Sequence, residues 1–597
     1  MSGGQNVRSR SLQTSGNSLI PNNALKDPAQ MGTKEIREIN LALSAVIGEM
    51  LEAGYGPKGS KKLMTVVRDE LGWAPDLKEM TNDGLTIIDG TNFTNPIGQI
   101  LTETAKAVDE EVGDGIKTAI ILIGKLLGKA QKLIDSRLHP RTIIDGYQKA
   151  CEKAVKIANA ETSPFNVHEK ASLRKIALTA MSTKISKSSV QRITDFVMEA
   201  AGIASEIASE RKEEGRKLDL ANIKVEKIER GLLSESDLFR GWVVAYPMSR
   251  FEMPERIEDA RIAFITRPLE AFSMGQYSKY GDFIKVDVRK KEHIQGFAEK
   301  EKEIALKMAQ KIAATGANVV ISNWNIDDAA LEYFSKRGIL AFKRILMPDL
   351  IRIQKVTGGK LTDNVDEMPP EFLGFSKTVY TRKMYEKEYA FFTGKQESKA
   401  ATIVLRAGSK LLVDEAARGI KDGLSAIREI YKDPRAVFGG GAFEIQVASQ
   451  LRTYANGIRN KEQLAVLAFA EALEELCALL CKNAGADPND IMPELKSRHA
   501  KGERAIGIEP YKKALDDMEK IGVLEPIRVK LQALNSAFET AEVILRIDYS
   551  MAAKSTGEKN PEEQKTEEEI EKIEQEMIPK VMETTAEGYK QPWEKNL

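Results

Sequence analysis

The sequence predicts a multidomain protein that joins all-α and α/β architecture, and three patterns carry that expectation. Apolar residues recur at helical spacing from residue 33 to about 161, and again from 414 to about 551. Between them, residues 318–356 alternate short apolar runs with amphipathic stretches, which argues for parallel strands layered with helices. At 597 residues there is room for three or four units of ordinary domain size.

Residues 1–30 are polar and read as a disordered tail. The first helix puts Ile36, Ile39, Leu43, Val46, Ile47, Met50 and Leu51 on one face, with Thr33 as its N-cap. Gly54-Tyr55-Gly56-Pro57-Lys58-Gly59-Ser60 supplies its stop. Thr81-Asn82-Asp83-Gly84 is turn chemistry, and Leu85-Thr86-Ile87-Ile88 after it reads as a short strand. Ile97, Ile100, Leu101, Thr104, Ala105 and Val108 mark the next helix; the nearly continuous apolar run Ala119–Leu127 marks a buried one. The helical region ends at Glu161-Thr162-Ser163-Pro164. Amphipathic helices occupy 165–215, and the charged loop Glu210–Lys217 leads to a strand-like Asn222-Ile223-Lys224-Val225. Further on, Asn318–Ile321 reads as a buried strand, Asp327–Lys336 as a helix, Ile339–Ile345 as a strand and Asp349–Val356 as a helix. Beyond Ser555 the chain is Glu/Lys-rich with a weak stripe of Ile570, Ile573, Met577 and Ile578, either a solvated tail or a short docking helix.

Composition removes several function classes. Lys plus Arg and Asp plus Glu both number 88, so no charge excess points to nucleic acid or a membrane surface. No apolar run reaches the ~18 residues of a membrane span. The N-terminus lacks the apolar core of a signal peptide and the three cysteines suit a reducing compartment, so a cytoplasmic location is expected. Cys477 and Cys481 are four apart, but only His499 follows them, which favours core packing over metal binding. No G-x-x-x-x-G-K-[ST] string is present.

The most informative stretch is Val112-Gly113-Asp114-Gly115-Ile116-Lys117-Thr118-Ala119. A Gly-Asp-Gly corner between two helices aims backbone N–H groups and a helix N-terminus at one point, which suits an anion such as phosphate. A carboxylate in its middle suits a divalent cation held against that anion. The other reading is a plain helical corner with Asp114 as a cap. The Gly54–Ser60 and Thr81–Gly84 corners have the same glycine-rich character.

At these residues the chain resembles a known family. GPKGSKKLM, TNDGLTI, AKAVDEEVGDGIKTAIILIGKLL and HPRTIIDGYQKA are similar to the equatorial domain of group II chaperonins, of the TCP-1/chaperonin-60 family. So are VDEAARGIKDGLSAIREI, FGGGAFEIQVASQLRTYA, NAGADP, VLEPIRVKLQAL and AEVILRIDYSMAAK nearer the C-terminus. KIAATGANVVISNWNIDDAALEYF and RGILAFKRI resemble its apical domain, and archaeal thermosome subunits are the branch most resembled. The resemblance implies a chaperonin fold. A mainly helical equatorial ATPase domain would comprise 31–161 and 438–553, and an intermediate domain 162–240 and 388–437. An α/β apical domain at 241–387 would bind substrate and carry a helical lid protrusion at 267–300. Phe272, Met274, Tyr277, Tyr280 and Phe283 there would either meet substrate and neighbouring lids or pack in the core.

The resemblance also implies roles. Asp114 matches a magnesium-binding aspartate, Asp422 the aspartate that activates water for ATP hydrolysis, and Asp83 a second carboxylate beside the γ-phosphate. Tyr55, Gly56, Pro57, Lys58, Gly59, Asn82, Gly84, Gly113, Gly115, Ile116, Lys117, Thr118, Gly440 and Gly441 fall in nucleotide-cradling segments, with Gly439 before them, and Glu525 near the ribose. The cofactors implied are ATP and Mg2+, with K+ beside the phosphates. The partners implied are unfolded polypeptides and identical or paralogous subunits in stacked rings, with no nucleic acid and no membrane. The chain departs from the family at Ile116 and Lys117, where threonines are usual; only Thr118 remains. Two lost hydroxyl contacts are worth about 1 kcal/mol each. An ATP-driven folding chamber is the expected function, and a ring or filament scaffold with weak turnover is the alternative. Lys117 would either neutralise phosphate charge as a potassium ion does or face solvent and cap the turn.

Overall fold

The computed structural model describes residues 33–66, 77–93, 95–205, 218–250, 252–270, 291–394 and 400–547. All belong to one compact unit except 33–36, the opening turn of the first helix, which belongs to a second. The expected N-terminal tail, the Glu210–Lys217 loop, the five aromatic and Met positions of the 267–300 protrusion and the C-terminal tail lie outside the described residues.

Among the described residues, three large hydrophobic cores and two smaller clusters organise the fold. The first is helical: Pro96–Glu111, Ile116–Asp135, Pro140–Ala160, Ala442–Ala455, Glu462–Ala484 and Ile527–Arg546 pack their apolar faces together, with Thr33–Glu52 contributing Leu41, Ile47 and Leu51. Helix Ile116–Asp135 lies inside this core, with Ala119 through Ile123 fully buried, as its apolar run predicts. A second core packs Lys170–Met181, Lys187–Ser205 and Lys410–Lys432 against strand Ala401–Arg406. The third surrounds Arg256–Ile265, Val319–Ser322 and Leu340–Phe342, three parallel strands flanked by helices Lys291–Ala314, Asp328–Lys336 and Met347–Thr357.

One nine-stranded sheet runs through the second and third cores. Its order is Ile223–Ile228, Ala401–Arg406, Asp237–Val244, Lys387–Thr393, Gly374–Met384, Arg256–Ile265, Val319–Ser322 and Leu340–Phe342, with Leu361–Thr362 pairing Arg256–Ile265. The strand expected at Ile339–Ile345 is confined to Leu340–Phe342, because Arg344 turns the backbone left-handed at φ 58°. Asp327 starts its helix as a cap, accepting from the Ala329 N–H at 2.8 Å.

The strand expected at Leu85–Ile88 is instead a helix, Gly84–Thr91. Asp83 is its N-cap: one carboxylate oxygen accepts from the Thr86 N–H at 3.0 Å and the Thr86 hydroxyl at 2.8 Å. A four-residue apolar run cannot by itself separate a strand from a buried helical turn, and the cap decides here.

Helix Lys410–Lys432 is tied to the helical core by charge. Glu429 is fully buried; Arg528 Nε reaches its Oε2 at 2.7 Å and Arg428 Nε its Oε1 at 2.8 Å. Its other side meets the segment after Lys170–Met181 at two glycines. A Cβ on Gly423 would lie 2.7 Å from the Met181 sulfur, and one on Gly419 would lie 2.9 Å from Ile185. These contacts set how closely residues 181–185 approach Asp422. Gly423→Leu should therefore cost about 1–3 kcal/mol by overpacking. Thermal unfolding of the variant checks this; full stability would contradict it.

Candidate functional site

One cavity of about 320 Å³ gathers residues from all along the chain. Gly113 and Gly115 adopt φ 73° and 83°, conformations glycine takes without cost, and so turn the chain into helix Ile116–Asp135. Gly115 is that helix's N-cap and no side chain caps its first amides. Helix Ala442–Ala455 begins the same way, with Gly441 as an N-cap lacking a side-chain cap. Both glycine starts line the same cavity, so two long helices present uncapped N-termini to it.

Three aspartates line it as well. Asp114 accepts from the Gly115 N–H at 2.6 Å through Oδ1. Asp83 reaches the cavity from the cap of Gly84–Thr91, and Asp422 from the buried face of Lys410–Lys432, where it is only 6% exposed. Lys184 joins the last two: its ammonium lies 2.7 Å from Asp83 Oδ1 and 2.8 Å from Asp422 Oδ2. The electrostatics of the pair diverge. Burial pushes the Asp422 carboxyl up to about 7, against the pull of Lys184 and with repulsion from Asp114 and Asp83. Burial works against Asp83 too, but the Lys184 charge and the Thr86 donors outweigh it and hold this carboxyl well below the usual range.

A second charge cluster lines the same cavity. Lys530 Nζ lies 2.8 Å from Glu444 Oε1 and 2.7 Å from Glu525 Oε2, all at the cavity edge. Burial and the neighbouring Glu444 raise the Glu525 carboxyl, with Lys530 opposing. Glu444 Oε2 is buried without a partner among the described residues, in a side chain that lines the cavity. Tyr55 lies beside Thr118, its hydroxyl raised by burial.

Of the expected site residues, Tyr55, Gly56, Pro57, Asp83, Gly84, Gly113, Asp114, Gly115, Ile116, Lys117, Thr118, Asp422, Gly440, Gly441 and Glu525 all line this cavity. Lys58 does not: its ammonium sits 5.4 Å from the Tyr511 ring centroid. Gly59 folds back on the Gly54 carbonyl, where any Cβ would collide. Asn82 is buried behind the wall. Lys117 does not face solvent; its ammonium donates to the Gly54 carbonyl at 2.8 Å and to Asn82 Oδ1 at 3.2 Å. Cys477 and Cys481 are packed in a small apolar cluster, and His499 is held by Gln446 and the Ile506 carbonyl.

Lys184, Glu444 and Lys530 were not singled out from the sequence. Lys184 stands in Ser-Thr-Lys-Ile-Ser-Lys, which reads as an ordinary polar connection. Glu444 and Lys530 lie inside FGGGAFEIQ and VLEPIRVKLQAL, three residues beyond a glycine N-cap and five beyond Glu525, and helical spacing from those anchors could have found them.

The cavity is lined by carboxylates, glycine turns and helix starts from well-separated parts of the chain, and the relatives give the class of protein. The TCP-1/cpn60 chaperonin family matches residues 47–555, and the chain belongs to that family. It is 36% identical over 539 residues to a thermosome subunit beta of Sulfurisphaera tokodaii, covering 90% of this chain and 95% of the other. It is 37% identical over 516 residues to a thermosome subunit alpha of Aeropyrum pernix, covering 86% and 91%. The structure is similar to an open-state monomer of a group II chaperonin from Methanococcoides burtonii, with TM-score 0.54 and 34% identity, covering 73% of this chain and all of that one. The protein is an ATP-dependent molecular chaperone subunit of the double-ring type, an ATPase whose hydrolysis is coupled to protein folding. A scaffold with little turnover is not favoured. No helix among the described residues is long and apolar enough to cross a membrane.

Removing the shared ammonium should expose how much it offsets. Lys184→Met leaves two buried carboxylates without their counter-charge, at an expected cost of about 3 kcal/mol. Because Asp422 titrates above a free carboxylate's ~4, ionising it costs stability as pH rises toward 7. The variant's deficit should therefore be largest above pH 7 and shrink below it. Thermal unfolding at pH 6 and pH 8 checks this; an equal deficit at both would contradict it.

Proposed function

We propose that this cavity is the ATP site, and that Asp422 is the base that accepts the proton of the attacking water. The observation that carries the reading is the meeting of Asp83, Asp114 and Asp422 on one cavity with two uncapped helix N-termini. The amides of Ile116 to Thr118 supply donors for phosphate oxygens, and the wall of Gly56 and Pro57 faces them. Asp114, with Oδ2 left outside its single hydrogen bond, would hold Mg2+, which when bound neutralises phosphate charge. Asp83 orients water beside Asp422, and Lys184 keeps the two carboxylates at a fixed separation. Glu444, Glu525 and Lys530 offer both donors and acceptors to a ribose or base edge. Asp422 titrates close to neutrality, which suits proton transfer at working pH.

The domain roles are part of the same proposal, supported by the grouping of the segments into separate cores. Residues 31–161 and 438–553 form the equatorial domain that carries the nucleotide, and 162–240 with 388–437 the intermediate domain that brings Lys184 and Asp422 to it. Residues 241–387 form the apical domain that holds unfolded polypeptide. The assembly partners are identical or paralogous subunits, in the cytoplasm. Potassium beside the phosphates is the remaining cofactor the family implies, and in this chain the ammonium of Lys117, donating to the Gly54 carbonyl, stands in that neighbourhood.

Two variants separate binding from chemistry. Asp422→Ala should slow ATP hydrolysis at least ~100-fold while sparing ATP binding. Asp114→Ala should lose magnesium-dependent ATP binding itself, because phosphate charge then goes uncompensated. Nucleotide titration in magnesium and steady-state hydrolysis of both variants test the assignment. Near-normal turnover in the first, or unchanged affinity in the second, would sink the corresponding role.

A further inference from the structure

The ammonium of Lys117 occupies a place made for a single positive charge. Its two protein acceptors, the Gly54 carbonyl and the Asn82 amide oxygen, are both neutral. Divalent cations are held by charged carboxylates, whereas neutral oxygens suit a monovalent ion, and an ammonium matches potassium in charge and nearly in size. The seat is built by the surrounding chain. Gly54 has no room for a Cβ because Asn82 Oδ1 lies against it, which is how both oxygens reach one nitrogen. Gly84 lets the lysine stem lie across the start of its helix, where a Cβ would stand 2.9 Å from Lys117 Cγ. An ammonium has three donors, and among the described residues two find protein acceptors. Lys117 itself lines the cavity, between Ile116 and Thr118 at the start of their helix.

Resting on the reading of this cavity as the phosphate site, we propose that Lys117 is a tethered monovalent cation. It supplies beside the nucleotide phosphates the charge that would otherwise have to come from a dissolved ion, so nucleotide binding by this chain needs no potassium. Burial, and then the charge of Lys184, lower its pKa to about 8, while Asp114, Asp422 and Asp83 act in the other direction. The side chain is therefore mostly charged at neutral pH, and an arriving phosphate strengthens that state.

The test is a calorimetric titration of MgADP into the intact chain at pH 7 and constant ionic strength, with potassium or the bulky N-methylglucamine cation as the salt. The wild-type arm needs no variant: its dissociation constant should agree within about twofold between the two salts. Lys117→Thr, which vacates the seat but leaves a hydroxyl, should bind at least ~10-fold more weakly in N-methylglucamine and recover in potassium. Lys117→Met, which fills the seat without charge, should stay weak in both. Potassium stimulation of the wild type equal to that of Lys117→Thr overturns the inference and leaves the nucleotide site standing. Tight binding by Lys117→Thr in N-methylglucamine also overturns it. No binding by the wild type in either salt overturns the site reading and this inference together.

Discussion

The site depends on one buried ammonium shared by two carboxylates. Lys184, Asp83 and Asp422 come from three chain segments that make no continuous element, and the 2.7 and 2.8 Å contacts are where those segments meet. A buried charge is tolerable only when paired, so each partner makes the burial of the others affordable. One lysine cannot satisfy two carboxylates and their Asp114 neighbour equally. The hydrogen bonds of the helix cap break the tie: Asp83, with the Thr86 donors, keeps its charge easily, while Asp422 rises to about 7. Two chemically identical groups thus acquire opposite titration shifts from their surroundings.

The interrupted chain follows from that requirement. Helix Lys410–Lys432 must return beneath the sheet to bring Asp422 against residues 181–185, and Gly419 and Gly423 permit the close approach. Its far end is anchored by Arg528 on Glu429 and by Arg428, which donates to the Glu111 carbonyl at 3.1 Å. Thr81 on the hairpin Lys62–Val66 with Leu77–Thr81 donates to buried Glu415 of the same helix at 3.3 Å. A helix fixed beside the cavity by such contacts ties the position of Asp422 to the packing of segments that lead into the large sheet.

Legibility in the sequence followed the range of the interactions. Gly113-Asp114-Gly115 was readable because turn geometry and an uncapped helix start are local properties. The buried helix Ile116–Asp135 and the strand Val319–Ser322 were readable from uninterrupted apolar runs. Leu85–Ile88 was misread because its apolar run is too short to show a period, and the deciding cap lies in the Asp83 side chain. Lys184 had no signal at all, since a lysine in a Ser/Thr-rich connection is distinguished only by the distant carboxylates that fold against it. The residue change at Lys117 was visible, but its direction was not. Only the glycine at 54 and the buried Asn82, distant in sequence, turn that stem inward.

The most direct test of this account is the pH dependence of kcat/KM for ATP hydrolysis in the wild type and in Lys184→Met, since that ratio reports groups of the free enzyme. As the proposed base, Asp422 would have to be ionised to accept a proton, so wild-type kcat/KM should fall as pH drops through about 7. Lys184 favours the ionised form, so its removal should move that fall to higher pH, by about one unit or more. Ionisation of the nucleotide itself is common to both proteins and drops out of the comparison. A midpoint that stays in place while only the plateau changes would contradict the claim that Lys184 sets the charge of Asp422.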